Sequence, residues 1–92
     1  MTSWAKTLGT TIDIRTIQAD PKRISFAVFN KHATAIAYMK EGGQVSTSNG
    51  IPIYPTGSVA VTLEEDGKSV QEAWSFISDT ANTDIVIFEG SK

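Results

Sequence analysis

The 92-residue chain contains no cysteine and a single histidine, His32, and these two shortages exclude several kinds of chemistry. Without thiols, neither a disulfide nor a thiolate zinc site can stabilise the fold. A zinc site would have to consist of carboxylates, and a Ser-His-Asp triad would depend on His32. The stretch NKHAT around His32 has the composition of a turn, so we predict a solvated loop histidine. We therefore expect no enzyme, no cofactor and no metal site.

The sequence also lacks a long apolar run and an excess of basic charge. A membrane-spanning helix needs about 20 mostly apolar residues, and no stretch approaches that length. The 8 Lys and Arg residues are outnumbered by 10 Asp and Glu residues, giving a net charge of −2. This balance argues against a nucleic-acid-binding surface. The beginning, MTSWAKTLGTT, does not resemble a signal peptide, so we expect synthesis in a cytoplasm, with neither membrane nor nucleic acid as partner.

What the sequence does contain is alternation of apolar and polar residues with a period of two, the pattern of β-strands. Residues 23–30, RISFAVFN, and residues 84–89, DIVIFE, are examples, and Gly- and Pro-containing turns separate such runs. Asn49-Gly50 is the preferred pair for a type I′ hairpin, in which both residues have positive φ. Pro52 cannot donate a ladder hydrogen bond, which predicts an edge strand or a bulge around it.

The segment VQEAWSFI, residues 70–77, fits two interpretations. Its apolar residues have the spacing of a helix, whereas Glu72, Trp74 and Phe76 alternate as in a strand. We favour a strand because Trp74 and Phe76 are aromatic and the neighbouring segments are predicted to be strands. The chain as a whole then predicts an all-β fold of about seven strands, a single small antiparallel β-sandwich or flattened barrel over residues 12–92.

Residues 1–11 stand apart as an extended N-terminal arm, because Trp4 and Leu8 are the only large apolar residues there after the initiating Met. Such a segment is either a frayed end or an ordered arm that inserts Trp4 into a neighbouring chain. On the second interpretation, removal of residues 1–10 should weaken binding to a partner and leave the β fold intact.

Four landmarks follow one another in a fixed order along the chain. They are a strand Arg-Ile-Ser-Phe that ends in Asn30, and the segments AIAYMKEGG, VSTSNGIPIYPTGSV and TDIVIFEG. This order resembles a group of small structural proteins of tailed bacteriophages. The resemblance covers residues 22–90 and implies a capsid accessory or decoration protein on the virion surface.

The leading hypothesis is therefore a non-enzymatic virion structural protein that decorates or cements a phage capsid through protein–protein contacts. Its partner would be the major capsid protein or another virion protein, and we expect a homo-oligomer, with a trimer favoured. Basic residues concentrate in residues 1–40 and acidic ones in 41–92, which suits packing between copies. The candidate contact residues are Trp4, Leu8 and Tyr54.

The alternative hypothesis is a receptor- or glycan-binding module of a phage fibre or tail. Sugar sites commonly combine an exposed aromatic ring with nearby Asp and Asn side chains. Trp74, Asp79 and Asn82 are the candidates for such a site.

Overall fold

The computed structural model describes residues 2–91 of the chain. These residues contain eight strands and one short α-helix. The alternating runs identified in the sequence become strands because alternate side chains on one face can then be buried together. The elements are β1 Thr2–Leu8, β2 Asp13–Ile17, β3 Arg23–Asn30, β4 Ala37–Glu41, β5 Ile51–Ile53, β6 Ser58–Thr62, α1 Leu63–Asp66, β7 Trp74–Ser78 and β8 Thr83–Ser91.

The strands form two four-stranded antiparallel sheets that pack together as a β-sandwich, which confirms the predicted fold class. The first sheet has the order β1-β8-β3-β6, and the second has the order β2-β7-β4-β5. Strand β5, which contains Pro52, lies at an edge of the second sheet, as the proline predicted.

The core lies between the two sheets and consists of the inward-facing half of each alternating strand. Phe26 and Val28 of β3 and Ile85 and Ile87 of β8 are buried from the first sheet, and the ring of Phe26 meets Trp74 edge-on at 5.4 Å between centroids. Burying one such side chain contributes about 1.5–3 kcal/mol. The other buried members of this core are Leu8, Ile17, Ala37, Met39, Ile53, Val61, Val70 and Phe76.

The predicted N-terminal arm is corrected by the structure, because residues 2–8 form strand β1 of the first sheet. This strand pairs along its whole length with β8, from Thr2 opposite Glu89 to Leu8 opposite Thr83. The sequence obscured the strand because an inward-facing position between Trp4 and Leu8 is occupied by Lys6. The Lys6 ammonium reaches the rim of the sandwich and pairs with Asp13 at 3.0 Å.

Residues 63–71, between β6 and β7, are helical, and the sequence analysis predicted no helix there. Helix α1 begins after Thr62, whose hydroxyl accepts a hydrogen bond from the Glu65 N–H at 3.2 Å. This is an N-cap interaction, and three acidic residues in the first turn further stabilise the helix terminus. A 3-10 helix over Gly67–Gln71 follows, so the strand predicted for residues 70–77 begins only at Trp74.

The Asn49-Gly50 pair does not form the predicted type I′ turn, since neither residue has positive φ. A Cβ atom on Gly50 would lie 2.8 Å from the Tyr38 Cβ and 3.0 Å from a methyl group of Val45. Tyr38 points outward from β4, because its neighbours along the strand face the core. The loop of residues 42–50, with Val45 buried, therefore covers part of the outer face of the second sheet.

Candidate interaction surface

Two of the three contact residues predicted from sequence are incorporated into the sandwich. Leu8 is buried in the core, and Trp4 is half-buried against it, with its indole N–H donating to the Glu89 carboxylate at 2.9 Å. Neither side chain projects to meet a partner, which corrects their assignment as arm residues. Tyr54, directly after edge strand β5, is 61% exposed and remains a candidate.

Arg23 organises the end of the sandwich near Trp4, a role that the sequence analysis missed. Its guanidinium donates to the carbonyls of Val70 at 2.6 Å, Gln18 at 2.8 Å and Glu72 at 2.7 Å, and it pairs with the Glu89 carboxylate at 2.9 Å. Arginine offers five donors in a fixed fork, which suits it to join several backbone segments at once. This cluster is structural, because every charged group in it is already paired.

The residues of the predicted glycan site do not come together. Trp74 is only 5% exposed, and its indole N–H donates to the Ser69 carbonyl at 2.8 Å. Asp79 and Asn82 lie beyond the other end of β7, at a distance of about 16 Å for a five-residue strand. The prediction of a sugar-stacking Trp74 is therefore wrong. Asp79 instead accepts hydrogen bonds from the Ile36 N–H and the Thr80 hydroxyl.

His32 has a local structural role in the loop between β3 and β4. Its Nδ1 accepts hydrogen bonds from the N–H groups of Thr34 at 3.0 Å and Ala35 at 2.9 Å, so the imidazole holds the turn together. Within residues 2–91, no group of three or more His, Cys, Asp and Glu residues is arranged to hold a metal ion. No helix in the same residues is long and apolar enough to cross a membrane.

Strand β2, at the edge of the second sheet, contains a backbone irregularity. Asp13 and Ile17 pair with Phe76 and Trp74, so β2 has two extra residues there, and Arg15 has a φ of 55°. The Arg15 N–H donates to the Ser75 hydroxyl at 2.9 Å, which satisfies the backbone at the bulge. Bulges of this kind prevent edge strands from pairing with other chains.

The outer face of the first sheet carries two of the exposed large apolar side chains. Phe29 of β3 and Phe88 of β8 are 39% and 36% exposed there, and they border a shallow depression with Val86 and Lys31. We define the outer face by the outward residues of the four paired strands, namely Ser3, Ala5 and Thr7, Asp84, Val86 and Phe88, Ser25, Ala27 and Phe29, and Ser58, Ala60 and Thr62.

No protein-family model, no curated protein and no solved structure matches this chain. The fold places the protein in the class of small β-sandwiches. Apolar side chains are exposed at its β5 edge and on the outer face of its first sheet.

Proposed function

We propose that the protein is a non-enzymatic virion structural protein that decorates or cements a phage capsid through protein–protein contacts. The resemblance of residues 22–90 to small structural proteins of tailed phages supports the virion assignment. The structural observation that carries the contact assignment is the exposure of two large apolar side chains at the β5 edge, Tyr54 at 61% and Ile51 at 43%. On this proposal the protein is made in the host cytoplasm and is located on the capsid surface.

The β5 edge suits docking onto a larger protein. Tyrosine is enriched in protein interfaces because it contributes a large apolar area and a hydrogen-bonding hydroxyl with few rotatable bonds. Strand β5 is only three residues long and contains Pro52, which disfavours continuous β-pairing with another chain. We therefore propose that the major capsid protein or another virion protein receives the Tyr54 side chain in a pocket.

The first test is mass spectrometry of purified particles from the phage or prophage that encodes the chain. The proposal expects the chain in the head fraction at a fixed ratio to the major capsid protein. Its presence in the tail or fibre fraction would instead favour the alternative, a receptor-binding module. Absence from the particles would contradict both.

The second test measures binding of the purified protein to capsids that lack it. We expect Tyr54→Asp to weaken binding by about 30-fold or more, the effect of losing an interface hot spot. Thr47→Asp is the matched control, because Thr47 is exposed in the loop of residues 42–50 and receives the same charge. Equal binding by the two variants would exclude the β5 edge as the docking site.

A further inference from the structure

The outer face of the first sheet has the composition of a covered surface. The solvent-facing side of an antiparallel sheet is normally polar, yet Asp84 is the only charged residue among the outward residues that define this face. Phe29 lies opposite Val86, and Ala27 lies opposite Phe88, so the apolar side chains form one patch across β3 and β8.

The residues around this patch are small. Ala5 and Ser3 flank it on β1, and Ala60 and Ser58 flank it on β6. Small side chains leave the face flat, so that another sheet can approach to the spacing of about 10 Å at which sheets pack face to face. The second sheet differs, because the loop of residues 42–50 already covers part of its outer face.

We infer that the outer face of the first sheet binds the same face of a second copy of this chain, with a two-fold axis parallel to the strands between β3 and β8. A second copy presents the same flat and mostly apolar face, with charged residues only at one end, so the association removes little charge from water. This inference is independent of the proposed function, because it concerns a different surface from the β5 edge.

Charge complementarity at one end of the face favours this arrangement. The Lys31 N–H donates to the Asp84 carbonyl at 3.0 Å, so these residues lie side by side where β3 ends and β8 begins. The ion pairs within residues 2–91 are Lys6–Asp13 and Arg23–Glu89, so neither Lys31 nor Asp84 is in an ion pair there, and the Asp84 carboxylate accepts one hydrogen bond from the Thr7 hydroxyl at 2.7 Å. The proposed axis places β3 over β8 of the second copy, and Lys31 then faces Asp84 of that copy twice.

The dimensions of the face predict a reversible dimer. The outer face, as defined, spans about five residues on each of four strands and covers roughly 300 Å² in projection. This area is small beside the ~800 Å² of accessible surface that each partner buries in a standard interface. A face that binds its own copy is isologous and forms a two-fold dimer, whereas a trimer requires two different surfaces. We therefore propose a dimer in place of the trimer expected from the sequence.

The first experiment is analytical ultracentrifugation of the full chain from about 1 µM to about 1 mM, the range of dissociation constants expected for a small interface. Wild type should shift from monomer to dimer within this range. Phe88→Asp should raise the dissociation constant by about tenfold or more, because it places a charge in the apolar patch. Tyr54→Asp, which adds the same charge outside the face, should leave the dissociation constant unchanged. Circular dichroism establishes that both variants remain folded.

The second experiment tests the axis by charge reversal. Lys31→Glu and Asp84→Lys should each dimerise about tenfold more weakly than wild type, because like charges then face each other twice. A mixture of the two variants should recover wild-type affinity, since each opposed pair in the mixed dimer again has opposite signs. A change confined to the stability of one chain cannot produce this recovery.

The inference is overturned if wild type stays monomeric across the range, if it forms a trimer, or if Phe88→Asp dimerises as well as wild type. A mixture of the charge-reversed variants that associates no better than each alone would overturn the proposed axis. If Phe88→Asp no longer dimerises but its monomer still binds capsids as well as wild type, the result would support the inference. The proposed function would then be supported independently of the dimer.

Discussion

Arg23 is 1% exposed, and its guanidinium donates hydrogen bonds to three carbonyls and one carboxylate. We predict that Arg23→Ala lowers the free energy of unfolding by about 3–5 kcal/mol, because the Glu89 charge loses its partner and buried carbonyls lose their donors. Urea denaturation followed by tryptophan fluorescence measures the loss.

The adjacent Lys22 provides the control for this prediction. It has the same charge but lies exposed, so Lys22→Ala should change the unfolding free energy by no more than about 0.5 kcal/mol. If the two variants lost equal stability, the hydrogen-bond network of Arg23 would not have the role that we assign to it.

At the scale of elements, the packing of the loop of residues 42–50 on strand β4 depends on the absence of a side chain at Gly50. A Cβ there would lie 2.8 Å from the Tyr38 Cβ, and both atoms are close to the backbone and unable to rotate away. We predict that Gly50→Ala lowers the unfolding free energy by about 1–3 kcal/mol through overpacking. Thermal denaturation and chemical denaturation both measure this effect.

Gly9 offers a matched substitution. It has no positive φ, and a Cβ at this position would meet nothing within 4 Å. Gly9→Ala should therefore be neutral or stabilise by a few tenths of a kcal/mol, because alanine reduces the entropy of the unfolded chain. Equal destabilisation by the two variants would mean that the loop does not pack on Tyr38 as described.

Most strands could be predicted from sequence because period-two alternation reports burial on one face directly. The runs that became β3 and β8 alternate cleanly, and Pro52 correctly indicated an edge strand. Helix α1 carried a local signal that the prediction overlooked, since Thr62 and Glu65 have the spacing of an N-cap. A threonine that ends a β-branched run satisfies both a strand pattern and a helix cap.

The other features of the structure depend on tertiary contacts, which cannot be read from composition or local pattern. The Asn49-Gly50 pair has a strong local preference for a tight turn, but contacts with Tyr38 and Val45 decided its conformation. Arg23 looks like a surface residue until the carbonyls that surround it are known. Of the candidate site residues, Tyr54 lies exposed because a proline-containing edge strand precedes it, while Trp74 follows a segment that folds back over its indole.

At the scale of the whole molecule, the two ends of the chain close the first sheet on each other, because β1 pairs with β8. Deletion of residues 1–8 removes the buried Leu8 and the Trp4 side chain that packs against the core, and it exposes an edge of β8. A chain of this size has only about 5–14 kcal/mol of stability. We therefore predict that the deletion abolishes cooperative folding. A synthetic peptide of residues 1–10 should restore the fold by adding the missing strand, and the same peptide with Leu8→Asp should not. Circular dichroism and size-exclusion chromatography follow the recovery. If the truncated chain unfolds cooperatively on heating without the peptide, the prediction is wrong and residues 1–8 are a dispensable arm.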